Sequence, residues 1–246
     1  MNNATNNSTR VALITGASRG LGATLADFLA SQKLDLVLTA RGEGDLAAVA
    51  HQLDRHERNV VALPGDVTDA AHRTRLVAAA RELGGLDLLI NNASELGPTP
   101  LPSLVDVDPV EFQHVLVVNV IAPVALVREA LPLLERSNGM VVNVSSDAAS
   151  GGYPGWGVYG ASKAALELAT LTLANELEDR GIAVVTVDPG DMRTRMHQDA
   201  FAGEDISDRP LPEVTLPFWA WLLGQERANV NGRRFRAQAD RWEVAA

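Results

Sequence analysis

The chain has 246 residues, 46% of them hydrophobic and 21% charged, which is the composition of a globular protein and excludes a largely disordered chain. The formal charge of −10 repels phosphate backbones, so it argues against a general nucleic-acid-binding protein. Cysteine is absent, which excludes disulfide bonds, thiolate zinc sites and cysteine nucleophiles.

The start of the chain and its apolar segments bear on location. Residues 1–9 are mostly Asn, Thr and Ser, without the basic and apolar runs of a signal peptide, so they predict a mobile tail. No stretch approaches the roughly 18 uninterrupted apolar residues of a membrane-spanning helix. We therefore expect no membrane span, a cytoplasmic location and a single domain over residues 10–246.

Short apolar runs alternate with segments of helical period along the chain. In order, they predict a strand at 10–15, a helix at 21–31, a strand at 34–40, a helix at 43–56, a strand at 60–63, a helix at 69–83, a strand at 86–90, a helix at 108–135 bent near Pro123, a strand at 140–144, a helix at 159–180, a strand at 182–187, a helix at 213–223 and a strand at 232–237. The strands are nearly continuous Val, Ile and Leu, which is typical of a parallel sheet covered on both faces. This rhythm predicts an α/β fold with one Rossmann-type, doubly wound parallel sheet of about seven strands.

A glycine-rich turn, TGASRGLG, spans Thr15–Gly22 between the first predicted strand and helix. Glycines allow close backbone approach to a ligand, and the N–H groups that begin a helix attract a pyrophosphate. The turn therefore predicts a dinucleotide site, the alternative being a tight turn without ligand. The candidate binding residues in it are Gly16, Ser18, Arg19, Gly20 and Leu21.

The end of the second predicted strand indicates which dinucleotide binds. An acidic residue there would bind the ribose hydroxyls of NAD, but this chain has Ala40 followed by Arg41. Arg19 and Arg41 could contact a 2′-phosphate from two sides, which favours NADP(H) over NAD(H). The alternative is that both arginines are solvated surface charges.

A tyrosine and a lysine stand four residues apart on one face of a predicted helix, at Tyr159 and Lys163. A nearby ammonium lowers the pKa of a phenol, so this pair could pass a proton to a carbonyl oxygen. Ser145 and Ser146 end the fifth predicted strand, at the sheet edge where ligands bind, and either hydroxyl could donate to that oxygen. The alternatives are an exposed helical pair and two turn-forming serines.

Together these residues resemble the short-chain dehydrogenase/reductase family, whose members have about 250 residues. The likeness runs from Arg10 to about Thr194. It includes the glycine-rich turn, the strand end Gly65-Asp66-Val67, the run Asn91-Asn92-Ala93-Ser94, the mid-helix Asn119, the pair Tyr159 and Lys163, and the segment Pro189–Thr194. Ser146 lies thirteen residues before Tyr159, which is the family interval, so the resemblance assigns it rather than Ser145.

The resemblance implies a mechanism. The nicotinamide gives a hydride to a substrate carbonyl, Tyr159 donates the proton, and Ser146 orients the carbonyl. Lys163 binds the nicotinamide ribose and lowers the pKa of the phenol, and Asn119 supports Lys163 through its backbone carbonyl and a water. It also implies further cofactor contacts, at Asp66, Val67, Asn92, Ala93, Pro189, Gly190, Met192 and Thr194, the last holding the nicotinamide carboxamide.

Two features depart from the family pattern. Ser94 replaces the glycine of N-N-A-G and adds a side chain near the cofactor. The segment from Gly232 to Trp242 lacks the usual V-D-G-G ending, although family precedent implies a homotetramer or homodimer that contacts through the helices at 108–135 and 159–180.

The substrate side gives weaker signals. Residues 191–217 have no clear period, so we expect a loop, with at most one helical turn, that serves as a substrate lid. The candidate pocket residues are Ser94, Tyr153, Trp156, Met196 and His197, although Trp156 and the methionine could equally belong to the core. Arg193 and Arg195 could attract an acidic substrate or be solvated lid charges.

Three functions are compatible with these residues. We expect an NADP(H)-dependent reductase or dehydrogenase acting on a small carbonyl compound or alcohol, without nucleic acid or membrane partners. The alternatives are a non-catalytic NADP(H)-sensing or scaffold protein of the same fold, and an NAD(H)-dependent alcohol dehydrogenase. The five histidines show no metal-binding spacing, so no metal is expected, while substrate identity and reaction direction do not follow from the sequence.

Overall fold

A computed structural model describes residues 9–243, so the predicted tail lies outside the described residues apart from Thr9. Its sheet has seven strands. They are β1 (Val11–Thr15), β2 (Asp35–Ala40), β3 (Val60–Pro64), β4 (Leu88–Asn91), β5 (Met140–Val144), β6 (Ala183–Asp188) and β7 (Arg234–Arg236). All are parallel, in the order β3-β2-β1-β4-β5-β6-β7, which confirms the predicted doubly wound α/β fold.

The strand order reverses between β1 and β4. The chain winds outward from β1 through β2 to β3, then returns to pair β4 with β1 and winds the other way. The loops that leave β1 and β4 therefore part to opposite sides and open a crevice at the carboxyl edge of the sheet, where ligands of such sheets bind. The glycine-rich turn follows β1 at this point.

Helices cover both faces of the sheet. They are α1 (Gly20–Ser31), α2 (Glu43–Leu53), α3 (Ala70–Glu82), α4 (Pro109–Leu116), α5 (Ala122–Ser137), α6 (Ala148–Gly151), α7 (Gly157–Leu177), α8 (Arg195–Ala200), α9 (Leu216–Leu223) and α10 (Arg227–Val230). Successive strand residues point to opposite faces, so Ala12 and Ile14 pack with α1, α2 and α9. Val11 and Leu13 pack with α3, α5 and α7 in a second core.

The predicted helix at 108–135 contains a wider turn instead of a simple bend. A π-helical segment, Val117–Ile121, joins α4 to α5. Pro123 has no N–H to give to the carbonyl of Asn119 four residues earlier, so regular α-helical bonding is interrupted there. The position of Pro123 thus predicts where the helix is irregular, but the π-helical form of the irregular segment was not predicted.

Three short helices differ from the predicted elements. The lid contains α8, six residues long, where at most one turn was expected. The turn α6 follows β5 directly, and α10 precedes β7, and neither was predicted. The predicted helix at 43–56 ends its α-helical part at Leu53 and closes in a 3-10 turn, while other boundaries shift by one to three residues.

One helical run deserves comparison with a membrane span. Among the described residues, 109–137 is long and apolar enough to cross a membrane by length and composition alone. Its residues Leu126, Leu133 and Leu134 are buried in the core that covers the sheet. This helical run therefore packs against the sheet as one of the helices that cover it.

Candidate active site

A cavity of about 880 Å³ lies at the carboxyl edge of the sheet. Of the predicted site residues, all but Asn119 line it. The cofactor candidates along it are Gly16, Ser18, Arg19, Gly20, Leu21, Arg41, Asp66, Val67, Asn92, Ala93, Pro189, Gly190, Met192 and Thr194. The catalytic candidates Ser146, Tyr159 and Lys163 and the pocket candidates Ser94, Tyr153, Trp156, Met196 and His197 line the same cavity.

The glycine-rich turn is held against the loop that follows β4. Gly16 has φ +68°, and a Cβ there would lie 2.8 Å from Asn92 Nδ2, so neither the backbone nor the space admits a side chain. Asn92 Nδ2 donates to the carbonyl oxygens of Thr15 and Gly16, at 2.9 and 3.1 Å. The turn and the Asn92 loop therefore form one rigid unit at the switch point.

The first turn of α1 leaves its N–H groups available to a ligand. The helix begins at Gly20, and no side chain caps its N-terminus. Such unpaired N–H groups, at the positive end of a helix dipole, bind phosphate groups well. Gly16 and Gly20 line the cavity beside them, so the turn fits the pyrophosphate of a dinucleotide.

Arg41, at the end of β2, is already paired. Its Nη1 lies 2.6 Å from Glu95 Oε1, while more than half of the Arg41 side chain remains exposed. Burial raises the pKa of Asp66, but hydrogen bonds from Thr68 and the Arg41 charge outweigh it and hold this pKa below its usual value. Arg41, which the sequence predicts to bind the 2′-phosphate, therefore interacts with the carboxylates of Glu95 and Asp66. Glu95 had not been singled out from the sequence.

Tyr159 and Lys163 are both buried on α7. Burial raises the pKa of Tyr159, although hydrogen bonding to Ser146 and Ser94 counteracts it. Burial also lowers the pKa of Lys163 to about 7, against the opposing charge of Glu167. The expected lowering of the phenol pKa is thus not found in this structure, because burial dominates. Lys163 Nζ donates to the Val144 carbonyl at 2.8 Å and lies 5.4 Å from the centre of the Tyr159 ring.

The two serines at the end of β5 have different surroundings. Ser145 is buried and donates its hydroxyl to Glu167 Oε1 at 2.6 Å, so this hydroxyl is engaged away from the phenol. Ser146 is only half-buried, lines the cavity and donates its hydroxyl to the exposed Asp147 Oδ1 at 3.2 Å, and hydrogen bonding to Ser146 counteracts the rise in the pKa of Tyr159. The geometry therefore favours Ser146, the residue that the family interval selects.

Behind the serines lies an ionic network that the sequence did not reveal. Arg234, on β7, bonds Glu167 Oε1 at 2.9 Å and Asp188 Oδ2 at 3.1 Å. Its Nη2 also donates to the Ser146 carbonyl at 3.2 Å. Arg234 thereby connects the C-terminal strand to the serine that faces the phenol.

The segment after β6 is tied to the C-terminal part of the chain as well. Gln238 Nε2 donates to the carbonyls of Pro189 and Asp191, both at 2.9 Å. These carbonyls flank Gly190 in the segment predicted to hold the nicotinamide. Gln238 stands in the stretch that lacks the usual family ending, and only its contacts reveal its position.

Asn119 is buried in the π-helical segment and does not reach the cavity. Its side chain accepts from the Glu95 N–H and donates to the Glu95 carbonyl, both at 2.8 Å. It also donates to Ser162 Oγ on α7 at 2.9 Å. Asn119 therefore joins the loop after β4 to the helix of Tyr159, while its predicted support of Lys163 stays a prediction.

The far end of the cavity is rich in aromatic side chains. The Trp156 ring centre lies 5.7 Å from that of Tyr159 and 6.0 Å from that of Phe201. Phe201 follows α8 and was not among the predicted pocket residues, because residues 191–217 carry no readable pattern. Thr194 caps α8 by accepting from the His197 N–H at 3.2 Å.

Within residues 9–243, no group of three or more His, Asp or Glu side chains is placed to hold a metal ion. Burial lowers the pKa of His197, and Asp191 opposes this only in part. The cavity lining places a phenol, a hydroxyl and an ammonium, those of Tyr159, Ser146 and Lys163, beside the glycine-rich turn.

Comparison with known proteins agrees with this geometry. A sequence model of the family described as short chain dehydrogenase matches residues 10–205. The chain is 32% identical over 237 residues to the uncharacterized oxidoreductase YciK of Escherichia coli K12, covering 94% of this chain and 93% of that protein.

Two solved structures are also similar to this chain. One is a protein from Escherichia coli CFT073 complexed with NADPH, with TM-score 0.86 and 32% identity over 94% of this chain and 97% of that chain. The other is a protein from Shigella flexneri 2a strain 301 complexed with NADP, with TM-score 0.86 and 31% identity over 94% of this chain and 97% of that chain.

Proposed function

Because the chain belongs to the short-chain dehydrogenase family, we propose that it is an NADP(H)-dependent oxidoreductase acting on a carbonyl compound or a secondary alcohol. The observation that carries the proposal is the convergence of three groups on one cavity. The Tyr159 phenol, the Ser146 hydroxyl and the Lys163 ammonium line it together with the glycine-rich turn. These groups suit proton transfer to a carbonyl oxygen beside a bound dinucleotide.

The cofactor assignment is supported from two directions. The uncapped start of α1 and the close approach at Gly16 suit a pyrophosphate, and Arg19 and Arg41 offer guanidinium groups to a 2′-phosphate. Two similar proteins were crystallised with NADP or NADPH. The pairing of Arg41 with Glu95 keeps NAD(H) as the second candidate, because it occupies the group on which NADP preference depends.

When bound, NADPH supplies the hydride that adds to the carbonyl carbon. Tyr159 Oη gives its proton to the carbonyl oxygen as that oxygen gains negative charge, so the product is the alcohol. Ser146 Oγ donates a hydrogen bond to the same oxygen and fixes its direction. Lys163, protonated, stabilises the phenolate left on Tyr159, and each step reverses for alcohol oxidation.

The test is a single-atom deletion at Tyr159. Tyr159→Phe should reduce NADPH-dependent reduction of carbonyl compounds to the background rate, because the proton donor is gone. NADPH affinity, measured by fluorescence titration, should stay within about twofold, since the ring is retained. Thr172→Val removes a hydroxyl from an exposed position of the same helix, where Thr172 Oγ1 donates to the Leu168 carbonyl outside the cavity, and should retain turnover.

Two outcomes would reject this assignment. Full activity of Tyr159→Phe would remove the phenol from the mechanism. Tight NADPH binding by the wild-type protein, without oxidation of NADPH across a carbonyl panel, would favour the sensing or scaffold protein instead.

A further inference from the structure

We propose that the substrate is a carbonyl compound with an aromatic ring next to the carbonyl group and without negative charge. This inference rests on the proposed function and adds the substrate class to it. Two independent features of the cavity support it, a wall of aromatic rings beside the phenol and an excess of carboxylates around that wall.

The rings form a continuous wall that starts at the proton donor. Trp156 meets Tyr159 edge to face at 5.7 Å, Phe201 lies 6.0 Å beyond Trp156, and His197 lies 4.8 Å from Phe201. Trp156 and Phe201 are half-buried and line the cavity, so their rings are not sealed in the core. For Trp156 these positions favour the pocket over the core.

Apolar side chains complete the wall. Leu96 packs in one cluster with Tyr159, and Met196 and Trp156 pack against that cluster. A flat, polarisable substrate ring would gain stacking and dispersion contacts here that a saturated ring of equal size would not gain. Because the wall begins at Tyr159, the ring must stand close to the carbonyl that receives the proton.

Carboxylates outnumber cations around the wall. Asp147 accepts from Ser146 Oγ at 3.2 Å and from Tyr153 Oη at 2.9 Å, and Asp191 and Asp199 also line the cavity. Among the described residues at this end, the one arginine that lines the cavity is Arg195, whose Nε lies 3.9 Å from Asp199 Oδ2. Arg209 lies behind the lining, with its Nε 3.7 Å from Asp191 Oδ2, but it is also paired with Asp208, so the carboxylates still outnumber the cations.

His197 adds no permanent charge, because burial lowers its pKa. Arg193 does not line the cavity among the described residues. A carboxylate or phosphate on the substrate would therefore face net repulsion. Of the two interpretations of the lid arginines, the structure favours solvated or paired charges.

Four methyl ketones test the proposal as a matched series. They are 4-methylacetophenone, 4-methylcyclohexyl methyl ketone, 4-acetylbenzoate and 4-acetyl-N,N,N-trimethylanilinium, which vary the ring and the charge while keeping the acetyl group. Calorimetry on the protein saturated with NADP⁺ gives each dissociation constant without turnover. We expect 4-methylacetophenone to bind about tenfold tighter than the cyclohexyl ketone, and the cation about tenfold tighter than the anion.

Two substitutions locate these preferences in the cavity. Trp156→Leu should weaken binding of the aromatic ketone and leave binding of the cyclohexyl ketone nearly unchanged. Trp156→Phe should keep most of the preference for the aromatic ketone. Trp242→Leu is the control, because Trp242 packs in a separate cluster with Phe218 and Trp221. Asp191→Asn should strengthen binding of 4-acetylbenzoate several-fold. Asp179→Asn should not, because Asp179 is exposed in the 3-10 turn after α7 and does not line the cavity.

The outcomes separate this inference from the proposed function. Equal or tighter binding of the cyclohexyl ketone or the anion, or no binding of any of the four, would overturn the substrate class. Reduction of carbonyl compounds outside the class by the NADPH-bound protein would then leave the function intact. Binding in the expected order without reduction would instead leave the class intact and reject the function.

Discussion

At the scale of single residues, burial sets the protonation of the two ionisable groups on α7. It raises the pKa of Tyr159 and lowers that of Lys163 to about 7. The phenol therefore remains a proton donor over the physiological range, while the ammonium is close to losing its charge. Glu167, one helical turn after Lys163, is the carboxylate that favours the charged form.

Because Glu167 favours the charged form of Lys163, we expect the fall in activity above about pH 7 to depend on Glu167. The kcat/KM for NADPH should fall as pH rises through about 7, because Lys163 loses its proton. Glu167→Gln removes a negative charge beside the ammonium and lowers its pKa further, so the falling limb should move to lower pH by up to about one unit. The pH profile of kcat/KM measures this shift, since it reports groups of the free protein.

Glu176→Gln is the matched control, because Glu176 is exposed on the same helix. It should leave the limb in place. A limb that moves to higher pH in Glu167→Gln, or equally in both variants, would show that Glu167 does not stabilise the charged lysine.

Arg41 and Glu95 make a second residue-scale case, concerning cofactor choice. Arg41→Asp should weaken the binding of NADPH more than that of NADH, because it replaces a cation that contacts the 2′-phosphate with a carboxylate that repels it. Glu95→Gln should strengthen the binding of NADPH and of 2′,5′-ADP by about two- to fivefold, the range of an ion pair with one exposed partner, and leave the binding of NADH unchanged. Fluorescence titrations with the three ligands measure these ratios.

A double-mutant cycle identifies how Glu95 acts. In an Arg41→Ala background, Glu95→Gln should have almost no effect on 2′,5′-ADP binding if its influence passes through Arg41. If the ratio of the NADPH and NADH dissociation constants is unchanged in Arg41→Asp, Arg41 does not bind the 2′-phosphate.

At the scale of elements, the C-terminal strand and the residues after it support the site without facing the substrate. Arg234 on β7 bonds the Ser146 carbonyl, Glu167 and Asp188. Gln238 follows the strand and holds two carbonyls of the segment after β6. Arg234 and Gln238 thus anchor the segments that follow β5 and β6 at the cavity, through three hydrogen bonds to their backbone carbonyls.

Removing one of these anchors should loosen the cofactor segment. Gln238→Ala deletes both hydrogen bonds to the segment around Gly190 and should weaken NADPH binding several-fold, while global stability falls by about 1–2 kcal/mol at most. Gln225→Ala is the control, because Gln225 Nε2 donates to the Trp221 carbonyl and does not line the cavity. Titration and thermal unfolding are measured together, and equal losses of affinity in both variants would contradict the anchoring role.

At the scale of the whole molecule, charge and apolar surface are distributed unevenly. The chain carries a formal charge of −10, yet Arg19, Arg41 and Lys163 line the proposed cofactor path. Apolar side chains are exposed on α4, the π-helical segment and α7, at Val110, Ile121, Leu168 and Leu171. These elements contact each other, α4 with α7 and each of the two with the π-helical segment.

We expect these exposed apolar side chains of α4, the π-helical segment and α7 to form the interface between copies of the chain in a homodimer or homotetramer. Light scattering should give two or four times the mass of one chain. Ile121→Asp combined with Leu168→Asp should shift the protein toward smaller species, because each buries a charge in an apolar contact. Leu211→Asp, on an exposed apolar residue outside these elements, should not, and a monomeric wild-type protein would reject the interface.

The sequence by itself determined the fold and the family. Continuous apolar strands alternate with amphipathic helices, and this periodicity is local, so the order of elements and the parallel sheet followed from it. The turn at Gly16, the pair of Tyr159 and Lys163, and Ser146 follow strand ends or lie on one helix face, so their convergence also followed. The family match over residues 10–205 and the sheet order confirm the family and the fold.

Only the tertiary structure decided which groups meet across the cavity. The pairs Arg41 with Glu95 and Gln238 with the segment around Gly190 join residues about 50 positions apart along the chain. The direction of the Tyr159 pKa shift also depends on burial, which a helical spacing cannot reveal. Spacing predicts which face a residue occupies, whereas side-chain pairing and desolvation depend on how distant elements pack.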